Sequence, residues 1–133
     1  SRKNRKILGG GMRQAGIIAA PGIIALEKMI DRLRDDHENA KLLAEGLSRI
    51  ERTLVDLETV QTNIVNIDLS GLRVASDLFI SELKERGVLA IARDKNKIRM
   101  VTHRGIEREH IENALNAIEE AVRDIRGERT VRR

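Results

Sequence analysis

The chain has no cysteine, no tryptophan and no tyrosine, and only one phenylalanine and one proline in 133 residues. Without cysteine, disulfides, thiolate nucleophiles and Cys-ligated metals are excluded. Without aromatic platforms, base stacking on single-stranded nucleic acid has nothing to work with. The core must instead come from Ile, Leu, Val, Ala and Met. The three histidines, His37, His103 and His110, have neither HxH nor HxxxH spacing, so no metal site is read from them. The longest apolar run, Ile17 to Leu26, holds Pro21 and Gly22 and is too short to span a bilayer. A basic start followed by an apolar stretch resembles a signal peptide only superficially. The intervening glycines and the amphipathic continuation through Glu27 argue against one.

Charged residues make up 35% and hydrophobic residues 41% of the chain, with a net charge of +4, which describes a globular domain with a modest core. Basic residues cluster at both ends, Arg2, Lys3, Arg5 and Lys6 at one and Arg126, Arg129, Arg132 and Arg133 at the other. Acidic residues are interspersed between them, and no helix-turn-helix or RNP-like motif accompanies them, so nucleic acid is not the expected partner.

Hydrophobic periodicity predicts a helix over 12–34, with Pro21 kinking or restarting it, and a second over 35–50 with Ala40, Leu43, Ala44, Leu47 and Ile50 on one face. Residues 54–57 predict a short strand, and 62–69 a half-buried one, with Val65, Ile67 and Leu69 alternating against Asn66 and Asp68. A third helix is expected over 74–86, with Ala75, Leu78, Phe79 and Leu83 inward and Gly87 as its C-terminal cap. Strands at 88–92 and 98–102 flank a polar turn, a last helix covers 107–126, and 127–133 are expected to fray. The expected order is ααββαββα. It describes an α+β fold with a largely antiparallel sheet of about four strands and helices on one face.

Two places could carry chemistry. Lys6 and Arg13 flank Gly9, Gly10 and Gly11, an arrangement that can bring backbone and cations close to a phosphate. It is not a P-loop, and a flexible loop with solvated charges is the plainer reading. Arg99 lies between Ile98 and Met100, which should face the core, so it points to the other side of the sheet together with Val101. A guanidinium there can hold a carboxylate by a two-pronged fork, and an ordinary exposed strand arginine is the alternative. The histidines suit surface or capping roles. Asp35, Asp36, Glu38, Glu107, Glu109 and Glu112 read as solvated helix faces, with Arg32, Arg34, Lys41, Arg104 and Arg108 nearby as weak ion-pair partners.

The stretch Arg5-Lys6-Ile7-Leu8-Gly9-Gly10-Gly11-Met12-Arg13-Gln14-Ala15-Gly16 resembles a segment of low-specificity L-threonine aldolases. So do Asp35 to Leu47, Thr62-Asn63-Ile64-Val65 and Ile98-Arg99-Met100-Val101-Thr102-His103, in the same order. The resemblance implies the C-terminal portion of a fold type I, pyridoxal-phosphate-dependent enzyme that cleaves L-threonine and L-allo-threonine to glycine and acetaldehyde. Residues 1–34 would then be the end of the large domain with a connecting helix, and 35–133 the small C-terminal domain. Arg99 corresponds to the arginine gripping the substrate α-carboxylate. Lys6 and Arg13 correspond to basic residues near the cofactor and its phosphate, with Gly9 to Gly11 shaping the approach.

The Schiff-base lysine of that family lies upstream of the matching segment, and Lys6 sits in the wrong motif to be it. The expectation is therefore no catalytic residue, no metal and no covalently held cofactor in these 133 residues, which alone would be inactive. The missing partner would be an N-terminal pyridoxal-phosphate-binding portion. The complete enzyme is expected to be a cytoplasmic dimer or tetramer acting on a β-hydroxy amino acid. The alternative is a non-catalytic, self-associating interaction module derived from this fold.

Overall fold

The structure, a computed structural model, describes residues 2–51 and 54–127. The chain divides into two compact units with the boundary between Leu33 and Arg34.

The first unit holds helix α1 (Arg2–Ile7), a glycine-rich turn and helix α2 (Gly16–Lys28). Neither helix has a buried residue. The helix expected over 12–34 is thus shorter, and a further helix precedes the glycines. Pro21 lies inside α2 without ending it. The apolar side chains of α2 lie all around it, so Ile17 and Leu26 are 75% and 71% exposed.

In the second unit, helix α3 (Leu33–Ile50) is followed by strand β1 (Ile64–Asp68), helix α4 (Ser76–Glu85), strands β2 (Ile91–Asp94) and β3 (Lys97–Val101), and helix α5 (Arg108–Ile125). The sheet has three strands in the order β1-β3-β2, all antiparallel. The expected count of about four strands and the order ααββαββα are corrected accordingly to three strands and αααβαββα. The missing strand is 54–57. The Asp56 carboxylate accepts from the Glu58 N–H (3.1 Å) and the Thr59 hydroxyl donates to the Asp56 carbonyl (2.7 Å). These bonds turn the chain into a 3₁₀ turn, Leu57–Thr59. Leu54 and Val55 still bury, and the Leu54 carbonyl accepts from the Asp68 N–H (2.8 Å).

Strand β2 begins later than the expected residue 88 for a similar reason. Gly87, at φ +80°, closes α4. Its N–H donates to the Lys84 carbonyl and the Val88 N–H to the Leu83 carbonyl (3.0 and 2.9 Å), the paired bonds of a Schellman cap. Val88 therefore still belongs to the end of the helix. The start of α4 is tied to the β2–β3 turn, where the Ser76 N–H donates to the Lys95 carbonyl (2.8 Å) and its hydroxyl to the Asp94 carbonyl.

One hydrophobic cluster fills the space between one sheet face and the helices. Val65, Ile67, Ile98 and Met100 of the sheet meet Leu47 of α3, Phe79 of α4 and Ile118 of α5 within it. Ala75 and Leu78, both expected inward, are exposed, and Phe79 and Leu83 set the buried stripe of α4. Helix α5 packs on α3 at Gly46, where an added Cβ would lie 2.3 Å from a Leu115 methyl. Among the described residues no helix is long and apolar enough to cross a membrane.

Candidate functional site

Arg99 sits on the central strand β3, between Asn66 of β1 and Ile91 of β2. Its chain neighbours Ile98 and Met100 are buried, so strand alternation turns Arg99 onto the opposite, open face. The guanidinium is half-buried. Its Nε is fully buried and has no hydrogen-bond partner among the described residues. Leaving a charged donor desolvated and unpaired is unfavourable, and an incoming anion relieves it.

No carboxylate of the described residues meets that need. Asp68 is the acid of β1 on this face, and its Oδ1 accepts from the Ser70 N–H (2.9 Å) while Oδ2 lies 3.8 Å from the Lys97 ammonium. The Ser70 hydrogen bonds, and secondarily Lys97, hold the Asp68 carboxyl below its usual value. Lys97 and Asp68 thus answer each other, and Arg99 is left facing outward as a fork without a carboxylate.

The glycine-rich turn belongs to the first unit and closes the helix before it. Gly9 adopts φ +84°, its N–H donates to the Lys6 carbonyl (3.2 Å), and the Gly10 N–H donates to the Arg5 carbonyl (2.7 Å). This is a second Schellman cap, closing α1. Two of the three glycine N–H groups are already used, which leaves the side-chain charges of Lys6 and Arg13 as the cations to offer an anion. Neither makes an ion pair or hydrogen bond among the described residues. Gly10 also has no room for a side chain, because an added Cβ would lie 2.5 Å from the Arg5 Cγ.

The other motif residues serve as stitching. The Thr102 hydroxyl donates to the Asp36 carbonyl (2.6 Å), the Asn63 amide to the Thr102 carbonyl (2.7 Å) and the Asn39 amide to the Ile106 carbonyl (2.8 Å). They join the start of α3 to the ends of β1 and β3. His110 caps α5, accepting at Nδ1 from the Glu107 N–H (3.0 Å), and the His103 Nδ1 lies 2.8 Å from the Arg104 carbonyl. An apolar groove of about 810 Å³ runs past Met100, Ile106 and Ala114, with both of these histidines on its lining. None of the expected site residues lines it. No cluster of three potential metal ligands exists among the described residues.

The model of the beta-eliminating lyases matches residues 1–70, more than half of the chain. The chain belongs to the beta-eliminating lyase family. Within it, the chain is 40% identical over 116 residues to probable low-specificity L-threonine aldolase 2 of Arabidopsis thaliana, covering 86% of this chain and 33% of that protein. It is 36% identical over 119 residues to low-specificity L-threonine aldolase 1 of the same plant, covering 89% and 33%. With the low specificity L-threonine aldolase of Escherichia coli strain K12 it shares 38% identity over 108 residues, 80% of this chain and 30% of that protein. The chain thus spans about one third of the length of the curated relatives it matches. For a beta-eliminating lyase, the helices with a small antiparallel sheet are compatible with part of a fold type I domain.

Proposed function

We propose that this chain is the C-terminal part of a pyridoxal-phosphate-dependent aldolase that cleaves L-threonine and L-allo-threonine to glycine and acetaldehyde, and that Arg99 holds the substrate α-carboxylate. The observation that carries this reading is the buried, unpartnered Nε of Arg99 on the open sheet face. A bidentate guanidinium–carboxylate pair gives that partly desolvated charge a counterion and fixes the direction of the amino acid at once. Residues 1–34 then contribute to the large domain and 35–133 form the small domain. Pyridoxal phosphate, when bound, supplies the electron sink for carbon–carbon cleavage. The residues of this chain suited to its phosphate are Lys6 and Arg13, two cations without a counterion among the described residues, on either side of a turn whose glycines admit a close approach. These residues alone contain no covalent anchor for the cofactor under this reading, and the active unit is a homo-oligomer of the complete, cytoplasmic enzyme.

The test is Arg99→Ala in the complete, cofactor-loaded enzyme. Losing a charge-assisted hydrogen-bonded contact costs about 1.5–3 kcal/mol, so kcat/KM for threonine should fall about 10- to 150-fold. Arg99→Lys should recover only part of it, because an ammonium cannot form the fork. Unchanged threonine cleavage in Arg99→Ala rejects the assignment.

A second reading is favoured by α2, whose apolar side chains lie open on all sides. It is a non-catalytic module that self-associates through that surface. Sedimentation of the 133-residue chain as a monomer at every concentration would dismiss it.

A further inference from the structure

We propose that Asn66 is a second binding residue for the carboxylate held by Arg99, donating from its amide to an oxygen that the guanidinium fork leaves partly unsatisfied. This inference rests on the Arg99 reading and deepens it.

The placement comes from the register of β1 on β3. Asn66 is the direct cross-strand partner of Arg99. Antiparallel partners alternate between hydrogen-bonded and non-hydrogen-bonded pairs. The Thr102 N–H donates to the Asn63 carbonyl at one end of the ladder and the Leu69 N–H to the Asn96 carbonyl at the other (3.0 and 2.7 Å). Counting inward in steps of two from either bond makes Asn66 and Arg99 a non-hydrogen-bonded pair. In such pairs the Cα atoms approach to about 4.5 Å and the side chains stand closer than elsewhere in the sheet.

The chemistry narrows the choice further. Of the two cross-strand neighbours of Arg99, Ile91 has only methyl groups to offer, and Asn66 carries the sole polar side chain. Asn66 is exposed and its amide makes no hydrogen bond among the described residues, so its two donors are free. A carboxylate has about four lone-pair sites and a guanidinium fork fills two of them, so a neutral donor beside the fork has an acceptor waiting. Neutrality matters as much as donation. An aspartate at this position would face Arg99 across the narrow pair and supply the counterion that none of the described residues gives it. Asn66 keeps the shape and the donor while leaving the charge of Arg99 for the ligand.

The experiment uses the complete, cofactor-loaded enzyme and two competitive ligands. Glycine carries the carboxylate, and 1-amino-2-propanol is threonine without it. Asn66→Val keeps a strand-forming side chain and removes the donor. It should weaken glycine about tenfold, the size of one hydrogen bond to a charged group. Asn66→Asp should weaken glycine more, about a hundredfold, by pairing Arg99 internally. Asn66→Val should not move the inhibition constant of 1-amino-2-propanol, whereas a merely structural role would shift both ligands together. The proposal is overturned if Asn66→Val leaves glycine binding unchanged while Arg99→Ala weakens it. If Arg99→Ala also leaves glycine unchanged, the carboxylate reading itself fails, and this inference with it.

Discussion

Helices α2 and α5 are both rich in aliphatic side chains, yet only one of them has a core. On α5, Ile111, Ala114, Ile118 and Val122 recur every three or four residues, and Glu112, Asn113, Asn116, Glu119 and Glu120 lie between them. One stripe buries and the rest faces water. On α2 the aliphatic residues lie all around the axis, and none is buried within its unit. Periodicity, more than hydrophobic content, decides whether a helix can close a core with its immediate neighbours. A helix apolar on every side is suited to being surrounded.

The two Schellman caps make the same contrast at the scale of a turn. After Gly87 the next residue is Val88, which packs against the core beside the helix it caps. After Gly9 the next residue is Gly10, which has no side chain to bury and sits against the stem of Arg5. The hydrogen bonds are equivalent, but only the second unit adds an apolar contact to them.

The sharpest way to break this comparison is to remove a large side chain from each region. Leu47→Ala should lower the unfolding free energy of the chain by about 2–5 kcal/mol, since Leu47 is completely buried. Ile18→Ala on α2 should change it by less than about 0.5 kcal/mol. Equal losses in urea denaturation would mean that α2 is packed after all.

Glycine substitutions should sharpen the comparison by changing sign. Gly46→Ala drives a methyl into Leu115 and should lose about 1 kcal/mol net, as overpacking of about 1–3 kcal/mol outweighs the gain in helix propensity. Gly22→Ala on α2 meets open space and should raise helix stability by up to about 1 kcal/mol. Thermal unfolding followed by circular dichroism reads both.

The smallest effect is electrostatic. Hydrogen bonds from Ser70, and then Lys97, lower the Asp68 carboxyl from its ordinary value of 3.8. A carboxyl lowered in the folded state contributes stability above its unfolded pKa, and that contribution disappears as pH falls through the lower folded value. Asp68→Asn should therefore lose a little stability at neutral pH and show a shallower decline below about pH 4. Because Asp68 is largely solvated, the difference should be small, and a steep change would mean that the open sheet face is covered.

Much of this was legible along the chain. The alternation around Arg99 placed it opposite the core, and the stripe of α3 named its buried face. Gly87 announced its cap because only glycine readily takes that backbone conformation. Residues 54–57 misled, because aliphatic residues suggest a strand while the Asp56 side chain bends the backbone into a turn. The glycines at 9–11 were legible only in part. Their flexibility was legible, but their use to cap α1 depended on a helix that the sequence pattern had not suggested. Asp36 reads as part of a solvated helix face but is buried, and its hydrogen bond with Thr102 gave no sign, since the two lie on elements far apart in sequence.

The sequence by itself determined the faces of the elements, the absence of cysteine and aromatic chemistry, and the likeness to threonine aldolases. These depend on residue types and on spacing within one element. Tertiary structure alone decided that Asn66 stands across from Arg99, that the acid on the same face is already engaged by Lys97 and Ser70, and that Arg99 keeps a buried nitrogen without a partner. Those facts follow from the register of β1 on β3. Register is a long-range pairing, and a slip of one residue would turn Asn66 into the core and leave the local sequence pattern unchanged.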